Sequence, residues 1–210
     1  MRQWGLAEQA ASMGLQLSSQ AVSQLTSLLQ LLAKWNRVYN LTSLSAEEKW
    51  VSHHLLDSLS IVSLIPDGRL IDVGSGGGFP GLPVAIANPD RDIVLLDSNH
   101  KKTAFLRQAA AELGLAKVSV ETARSESFRP DSGFDVVVSR AFSDLKSFLD
   151  LAGHLCRDNG TLLAMKGVYP ADEIAELPAG VVRNTVRLEV PMIDAQRHAV
   201  FLNPPASREG

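Results

Sequence analysis

The sequence LIDVGSGGGFPG, at residues 70–81, is an apolar stretch that runs directly into five glycines within eight residues. Glycine lets the backbone turn sharply and approach a bound molecule closely, because it has no Cβ. Pro80 stands where a following helix is expected to begin. The segment therefore predicts a buried strand, a tight turn built around a ligand, and a helix.

The spacing of the glycines indicates which ligand the turn binds. A dinucleotide-binding turn needs glycines at relative positions one, three and six, whereas Gly74, Gly76 and Gly78 occupy positions one, three and five. A Walker A loop needs Lys and then Ser or Thr, but Leu82 and Pro83 follow the last glycine. Both phosphate-binding motifs are disfavoured, although an NAD enzyme and a turn without a chemical role remain as alternatives.

A second apolar stretch, residues 93–96, ends at Asp97, about twenty residues beyond the turn. A carboxylate at this place can accept hydrogen bonds from the two hydroxyls of a ribose. The pair of features therefore favours a nucleoside over a bare phosphate as the ligand.

Composition restricts the class of protein. The chain carries 20 Lys and Arg against 23 Asp and Glu, a net charge of −3, and no markedly basic stretch, so its overall charge does not indicate nucleic-acid binding. Cys156 is the only cysteine, which excludes a disulfide framework and a cysteine zinc site. Without a cysteine cluster, we expect no metal. Without a signal sequence or a run of about 18 apolar residues, we expect a cytoplasmic protein with no membrane span.

Residues 1–65 are predicted to form a helical N-terminal extension. Apolar side chains recur every three or four positions between residues 22 and 39, which indicates one long amphipathic helix. Ser45 and Glu48 have the spacing of a capping box, which predicts a further helix to about Leu64.

Residues 66–210 alternate between strand and helix patterns and are predicted to form an α/β domain. Nearly continuous apolar strands, such as residues 136–138, are typical of a parallel sheet that helices cover on both faces. Helices are predicted from about residue 81, at 100–113 and at 144–155. The predicted strands are 69–73, 92–96, 117–121, 134–138, 161–166, 181–190 and 197–202.

Ligands of such sheets bind beyond the carboxyl ends of the strands, so the residues there are candidates for the site. Asp72, the glycine turn and Asp97 are among them. Arg140 follows a strand that should lie beside the first one, where its guanidinium can bind a phosphate or carboxylate through two hydrogen bonds. Lys166 follows another strand, and a solvated strand end is an equal alternative for it.

The helical extension contributes a second polar cluster. His54, Asp57 and Ser58 are three and four positions apart and therefore share one helix face. Contact with substrate is one interpretation, and a structural hydrogen-bond network in which Asp57 orients His54 is the other. A metal site is disfavoured, because no further ligand lies at suitable spacing.

Short motifs occur along the chain in one order: Lys34-Trp35-Asn36, Tyr39-Asn40-Leu41-Thr42, His54-Leu55-Leu56-Asp57-Ser58, the glycine segment, Leu96-Asp97-Ser98 with Lys101-Lys102, Ser139-Arg140-Ala141 and Lys166-Gly167. Together they give the chain an almost end-to-end resemblance to the bacterial ribosomal RNA small-subunit methyltransferase G family, also called glucose-inhibited division protein B. The resemblance implies a Rossmann-like class I methyltransferase sheet, mostly parallel and seven-stranded.

The resemblance also implies the activity and its cofactor. Members of this family transfer a methyl group from S-adenosyl-L-methionine to N7 of guanine 527, in the 530 loop of 16S rRNA. The family's cofactor contacts fall on Gly74, Phe79, Ser125, Glu126 and Arg140, and the general methyltransferase site adds Gly76, Gly78 and Asp97.

Binding to 16S rRNA or to a small-subunit particle is expected to involve His54, Asp57, Arg140, Lys166 and Arg197. Guanine N7 carries no hydrogen, so no residue is expected to act as acid or base. Arg140 and Lys166 are instead expected to position the substrate. The protein itself is expected to be a monomer.

Two positions depart from the family pattern, and both departures remove positive charge. His53 stands where a basic residue is usual, and residues 199–205 replace a strand that commonly carries Lys.

Two other functions stay open. A small-molecule methyltransferase would need an apolar pocket, lined for example by Trp50 and Phe142, and a noncatalytic nucleoside-binding module would keep only the fold.

Overall fold

The structure, a computed structural model, describes residues 5–42, 44 and 47–205. Seven strands form one sheet: β1 Leu70–Val73, β2 Ile93–Asp97, β3 Val118–Thr122, β4 Phe134–Ser139, β5 Cys156–Lys166, β6 Val182–Arg187 and β7 His198–Leu202. Their order is β3-β2-β1-β4-β5-β7-β6. Strands β1 to β5 are parallel, whereas β7 runs antiparallel to both β5 and β6. The predicted seven-stranded, mostly parallel sheet is confirmed.

The α-helices are α1 Leu6–Ser12, α2 Ser19–Tyr39, α3 Asp57–Leu59, α4 Gly81–Ala87, α5 His100–Glu112, α6 Leu145–Ala152 and α7 Ala171–Ala175. Single 3₁₀ turns occur at Glu47–Lys49, Ser125–Ser127 and Gly153–Leu155. The sequence did not predict α1 and α7, which have 7 and 5 residues and so show little periodicity.

The helix predicted to end near Leu64 is irregular. A π-helical segment, Val51–Leu56, precedes the short α3. The Ser58 hydroxyl donates to the carbonyl of His54, and the Ser60 hydroxyl donates to that of Asp57. Such bonds compete with the regular helical ladder and bend helices. Ser45, the predicted first residue of the capping box, lies outside the described residues.

Helices cover both faces of the sheet. On one face, the buried side chains of Leu25, Leu28 and Leu32 in α2 share an apolar core with Leu95 of β2. On the other face, α6 contributes to a second core through Phe148. The N-terminal helices thus pack on the sheet itself, while the division between 1–65 and 66–210 remains a prediction.

The sheet brings the predicted site residues to one edge. In the pairing of β1 with β4, Asp72 lies opposite Val138, so the glycine turn and Arg140 follow neighbouring strands as predicted. Within the described ranges, no helix has the length and apolar character needed to span a bilayer. The same ranges contain no group of three His, Cys, Asp or Glu side chains arranged to hold a metal ion.

Candidate functional site

The glycine turn after β1 packs against the protein on one side and is open on the other. Gly76 and Gly78 have positive φ values of 58° and 90°. A Cβ at Gly78 would lie 2.3 Å from Cδ1 of Leu82, so close packing requires glycine there. A Cβ at Gly76 would have its nearest neighbour, the Gly74 carbonyl oxygen, at 3.8 Å. Gly76 is therefore where a ligand can approach the backbone.

Asp97, the last residue of β2, holds this turn in place. Its Oδ2 accepts a hydrogen bond from the Gly76 N–H at 2.9 Å, and its Oδ1 accepts one from the Asn99 N–H at 2.9 Å. Each carboxylate oxygen has two lone pairs, so each keeps acceptor capacity. The geometry is compatible with the predicted contact to ribose hydroxyls.

Asp72, inside β1, is a buried carboxyl with one unused oxygen. Its Oδ2 accepts a hydrogen bond from the Gly81 N–H at 2.9 Å, whereas Oδ1 has no hydrogen-bond partner in the described part of the chain. Burial raises the pKa of Asp72 to about 7, against the opposing effects of the Gly81 N–H and of Arg140. A buried, unpaired oxygen is costly, and a polar ligand group at the turn would relieve that cost.

Replacing Asp72 by Asn is expected to change how stability depends on pH. The folded-state pKa of about 7 lies above the ordinary value of 3.8, so stability falls as pH rises through that interval. The whole interval corresponds to about 4 kcal/mol. Urea unfolding of both proteins from pH 4 to pH 8 should show the variant gaining roughly this much relative to the wild type. A constant difference across the range would contradict the prediction.

Asp57 joins two arginines that come from distant parts of the chain. Its Oδ2 accepts from Arg140 Nη1 at 3.0 Å, and its Oδ1 accepts from Arg197 Nε at 3.1 Å. Only 5% of the Asp57 side chain is exposed. Arg140 Nη1 also donates to the His53 carbonyl at 2.9 Å. Asp57 therefore does not bond His54 directly, and any orienting effect of Asp57 on His54 passes through Arg140, which stays a prediction.

The ring of His54 is neutral and contacts both Arg140, which binds Asp57, and Phe79 of the glycine segment. Burial, reinforced by the charge of Arg140, lowers the pKa of His54 to about 3. A guanidinium can only donate, so the 3.4 Å contact with Arg140 makes Nδ1 an acceptor, and Nε2–H donates to the Thr42 hydroxyl at 2.9 Å. The ring stacks on Phe79 with centroids 4.5 Å apart. Ser58 is fully buried behind it.

The chain reversal after α2 brings Thr42 to this cluster. Asn40 ends the helix in the left-handed conformation, with φ 47° and ψ 56°. Oδ1 of Asn36 then accepts a hydrogen bond from the Thr42 N–H at 3.0 Å. Thr42 belongs to one of the motifs of the family resemblance, but no role at the site was predicted for it. Asn40 was the available signal, since Asn is among the residues that tolerate this conformation.

Lys166, the last residue of β5, has fixed partners. Its Nζ lies 2.8 Å from Oε2 of Glu173 and donates to the Ser143 carbonyl at 2.9 Å. With 11% of its side chain exposed, Lys166 is not a solvated strand end, and that alternative is wrong. Glu173 also accepts from the Leu145 N–H at 2.8 Å. Sequence reasoning missed Glu173 because it lies on the unpredicted α7.

A cavity of about 440 Å³ brings together the five predicted RNA-binding residues. Three of them are permanent cations, and Asp57 is the one carboxylate of the lining. We call it the cationic cavity. Its lining consists of Thr42, Leu44, His53, His54, Asp57, Arg140, Met165, Lys166, Gly167, Leu188, Arg197 and His198.

The cavity and the glycine turn meet at Arg140. Its Cζ lies 5.7 Å from the ring centroid of Phe79, whose side chain is 4% exposed beneath it and His54. Ser125 and Glu126 lie elsewhere, in the turn after β3, and the Ser125 hydroxyl donates to Glu126 at 3.2 Å. Because β3 pairs with β2, this turn follows the same sheet edge as Asp97. The predicted contact of these two residues with adenine stays a prediction.

Trp50 and Phe142 do not line a common apolar pocket. Trp50 is 2% exposed and belongs to the core on one face of the sheet, and its Nε1–H donates to the Leu44 carbonyl. Phe142 packs on Phe148 at 5.2 Å, against the core of the opposite face. The two rings therefore cannot line one pocket.

The order of the strands, the glycine turn after β1 and the aspartate that ends β2 are together typical of one class of protein. A solved S-adenosylmethionine-dependent methyltransferase from Aquifex aeolicus matches the fold with a TM-score of 0.58, over 79% of this chain and 97% of that chain, at 16% identity. The fold is that of the class I methyltransferases.

Sequence comparison assigns the chain to one family within this class. The model of the family described as rRNA small subunit methyltransferase G matches residues 21–200. Two relatives named Ribosomal RNA small subunit methyltransferase G, from Chromobacterium violaceum and Laribacter hongkongensis, are 54% and 51% identical to this chain. The matches cover 90% and 91% of this chain, and 92% and 93% of those proteins. The chain belongs to the rRNA small subunit methyltransferase G family.

Proposed function

We propose that this protein transfers a methyl group from S-adenosyl-L-methionine to N7 of guanine 527 in the 530 loop of 16S rRNA. The observation that carries the proposal is the meeting, at Arg140, of a nucleoside-type glycine turn and a cavity lined by three permanent cations. A nucleoside cofactor on one side and a polyanionic substrate on the other suit this arrangement. The names of the two relatives agree with an rRNA substrate.

The turn has the features that this cofactor needs. Gly76 leaves an open face for the methionine portion, and Asp97 retains acceptor capacity for the ribose hydroxyls. The unpartnered oxygen of Asp72 suits a cationic group such as the cofactor's ammonium. Ser125 and Glu126 are proposed to contact the adenine. When bound, the cofactor supplies a methyl carbon that is already electrophilic, because it is attached to a sulfonium sulfur.

The reaction requires positioning more than proton transfer. Guanine N7 has an in-plane lone pair and no hydrogen, so its methylation needs no general base. His54 is neutral and both its ring nitrogens are engaged by neighbours, which agrees with a supporting role. Holding two reactants in line can contribute about 7 to 11 kcal/mol to the lowering of the barrier. Arg140 and Lys166 are proposed to hold the target nucleotide in this way.

The substrate is expected to be a loop and not a regular duplex. The deep, narrow major groove of an RNA helix hides guanine N7, so the nucleotide must be exposed before it reaches the cavity. The chain carries a net charge of −3, so binding depends on local cations, and raised salt should weaken RNA affinity more than cofactor affinity.

The proposal is tested by methyl transfer in vitro. Purified protein, labelled cofactor and either 16S transcript or small-subunit particles should give one product, mapped by chemical cleavage at 7-methylguanosine. Arg140→Ala should lower the rate by about 100-fold, as expected when a reactant is misplaced. Arg187→Ala is the matched control, because this arginine is 64% exposed on the edge strand β6. Its rate should equal that of the wild type.

Two results would contradict the proposal and favour the other functions. Cofactor binding without methylation of either RNA substrate would indicate a noncatalytic nucleoside-binding module. Methylation of small nucleophiles with no RNA product would indicate a small-molecule enzyme, although the separation of Trp50 and Phe142 leaves that function without its expected pocket.

A further inference from the structure

A second group of cations lies outside the cationic cavity, where the end of α2 meets the start of α5. Tyr39 and Lys101 have exposed side chains here, and Lys102 is half-buried. We call these three residues the α2–α5 patch. No ion pair joins either lysine to an acidic side chain within residues 5–42, 44 and 47–205.

The two cationic regions differ in how far their charge is already compensated. In the cavity, Asp57 neutralises part of the charge of Arg140 and Arg197, and Glu173 pairs with Lys166. The patch has no such compensation in the described structure. In a chain with a net charge of −3, these lysines present uncompensated positive charge at an exposed surface, where it can attract a polyanion.

Tyr39 gives the patch a fixed aromatic surface. Its ring centroid is 5.3 Å from that of Trp35, which in turn contacts Phe105 of α5 edge-on at 5.7 Å. Nζ of Lys101 lies 5.9 Å from the Tyr39 centroid. Although it is anchored in this row of rings, Tyr39 remains 42% exposed. An exposed ring beside a cation is the combination that binds unpaired bases together with their phosphates.

The patch lies next to both halves of the proposed active site along the chain. On α2, the helix ends at Tyr39, and the chain then reaches Thr42 in the wall of the cavity. On α5, the side chain of Asn99 caps the helix by accepting the Lys101 N–H at 2.9 Å, two residues after Asp97. A polynucleotide whose target base enters the cavity can therefore extend onto this surface.

We propose that the α2–α5 patch is a second RNA-binding surface, which binds backbone phosphates beside the target nucleotide and stacks one unpaired base on Tyr39. The proposal rests on the proposed rRNA substrate. It assigns a role to Trp35, which supports the Tyr39 ring, and to the Lys101-Lys102 motif, neither of which methyl transfer itself explains. RNA is favoured over an acidic protein segment because the exposed ring lies among the cations.

The charge half of the proposal is tested with Lys101→Ala/Lys102→Ala. The affinity of this double variant for a 16S fragment containing the 530 loop should fall about tenfold at about 0.1 M salt. The magnitude of the slope of log affinity against log salt should decrease by about 1.4 to 1.8. Affinity for S-adenosylmethionine should stay within about twofold. The matched control is Lys117→Ala/Lys146→Ala, which removes two lysines that are 53% and 62% exposed elsewhere. The control should keep the wild-type slope.

The stacking half is tested with two substitutions of Tyr39. Tyr39→Phe keeps the ring and its packing on Trp35, so RNA affinity should be unchanged. Tyr39→Ala should lower RNA affinity about tenfold, the usual size of the loss when a stacked base loses its aromatic partner. Thermal unfolding of both variants distinguishes this loss from a loss of fold.

The outcomes separate this proposal from the one on which it rests. If the wild type methylates 16S rRNA while the lysine double variant binds RNA with wild-type affinity and slope, the patch proposal is overturned and the proposed function stands. If the variants lose affinity only for the assembled particle, the surface binds a ribosomal protein and the proposal is also overturned. If the wild type methylates no RNA substrate, both proposals fail.

Discussion

Replacing Asp57 by Asn should remove most methyl transfer while the chain still folds and binds its cofactor. The carboxylate gives one oxygen to Arg140 and the other to Arg197, at 3.0 and 3.1 Å. Asn has the same shape but only one acceptor oxygen and no charge, so one guanidinium must lose its partner. Both arginines line the cationic cavity, and their displacement should misplace the substrate. We expect turnover on RNA to fall about 100-fold.

The same substitution should also reduce stability. Breaking a buried ion pair by removing one partner costs about 3 to 5 kcal/mol, and only 5% of the Asp57 side chain is exposed. Urea unfolding measures this loss, steady-state kinetics measures turnover, and calorimetry measures the affinity for S-adenosylmethionine. Asp150→Asn is the control, because Asp150 is 56% exposed and paired with Lys146 on one helix. It should change stability by no more than about 0.5 kcal/mol. Wild-type turnover in Asp57→Asn would show that the arginines do not depend on this carboxylate.

The sequence predicted those parts of the fold whose signals are local. The apolar run before Gly74 predicts β1, and the three consecutive valines of β4 predict a strand buried on both faces. With both strands in place, the neighbouring positions of the glycine turn and Arg140 follow from the rules for parallel sheets. The structure confirms this pairing.

The contacts that hold the site had no local signal. Asp57 and Arg197 are 140 residues apart in sequence, and they meet only because the helical extension packs beside β7. Glu173 pairs with Lys166 from α7, a five-residue helix that is too short for the periodicity of its apolar residues to predict. Sequence reasoning could therefore select the cations of the cavity, but it could not assign the acidic side chains that fix them.

In the glycine turn, too, the sequence alone does not predict which atoms each residue contacts. A run of glycines predicts a close approach of the backbone to something, without saying to what. At Gly78 the neighbours are the protein's own Leu82 and Leu106 side chains, whereas the open side lies at Gly76. Only packing distances separate a glycine that the core requires from one that a ligand requires.

Gly78→Ala is therefore expected to damage the fold and cofactor binding together. The new methyl group would lie 2.3 Å from Cδ1 and 2.8 Å from Cγ of Leu82, and 3.2 Å from Cδ2 of Leu106. Both leucines are fully buried, so they have little room to move. Overpacking of this kind costs about 1 to 3 kcal/mol, and the positive φ of 90° adds about 1 to 2 kcal/mol. Urea unfolding should show the loss, and affinity for S-adenosylmethionine should fall more than about tenfold because the turn must shift.

Two further substitutions separate packing from backbone strain. Gly180→Ala has a similar φ of 82° but no atom within 4 Å of the new Cβ, so it should lose only the strain energy and keep its cofactor affinity. Gly76→Ala has a φ of 58° and an open side, so it should fold nearly as well as Gly180→Ala while its methyl group obstructs the ligand. Equal losses of stability in Gly78→Ala and Gly180→Ala would mean that strain alone requires glycine in the turn. Unchanged cofactor affinity in Gly76→Ala would mean that the ligand approaches the turn from another side.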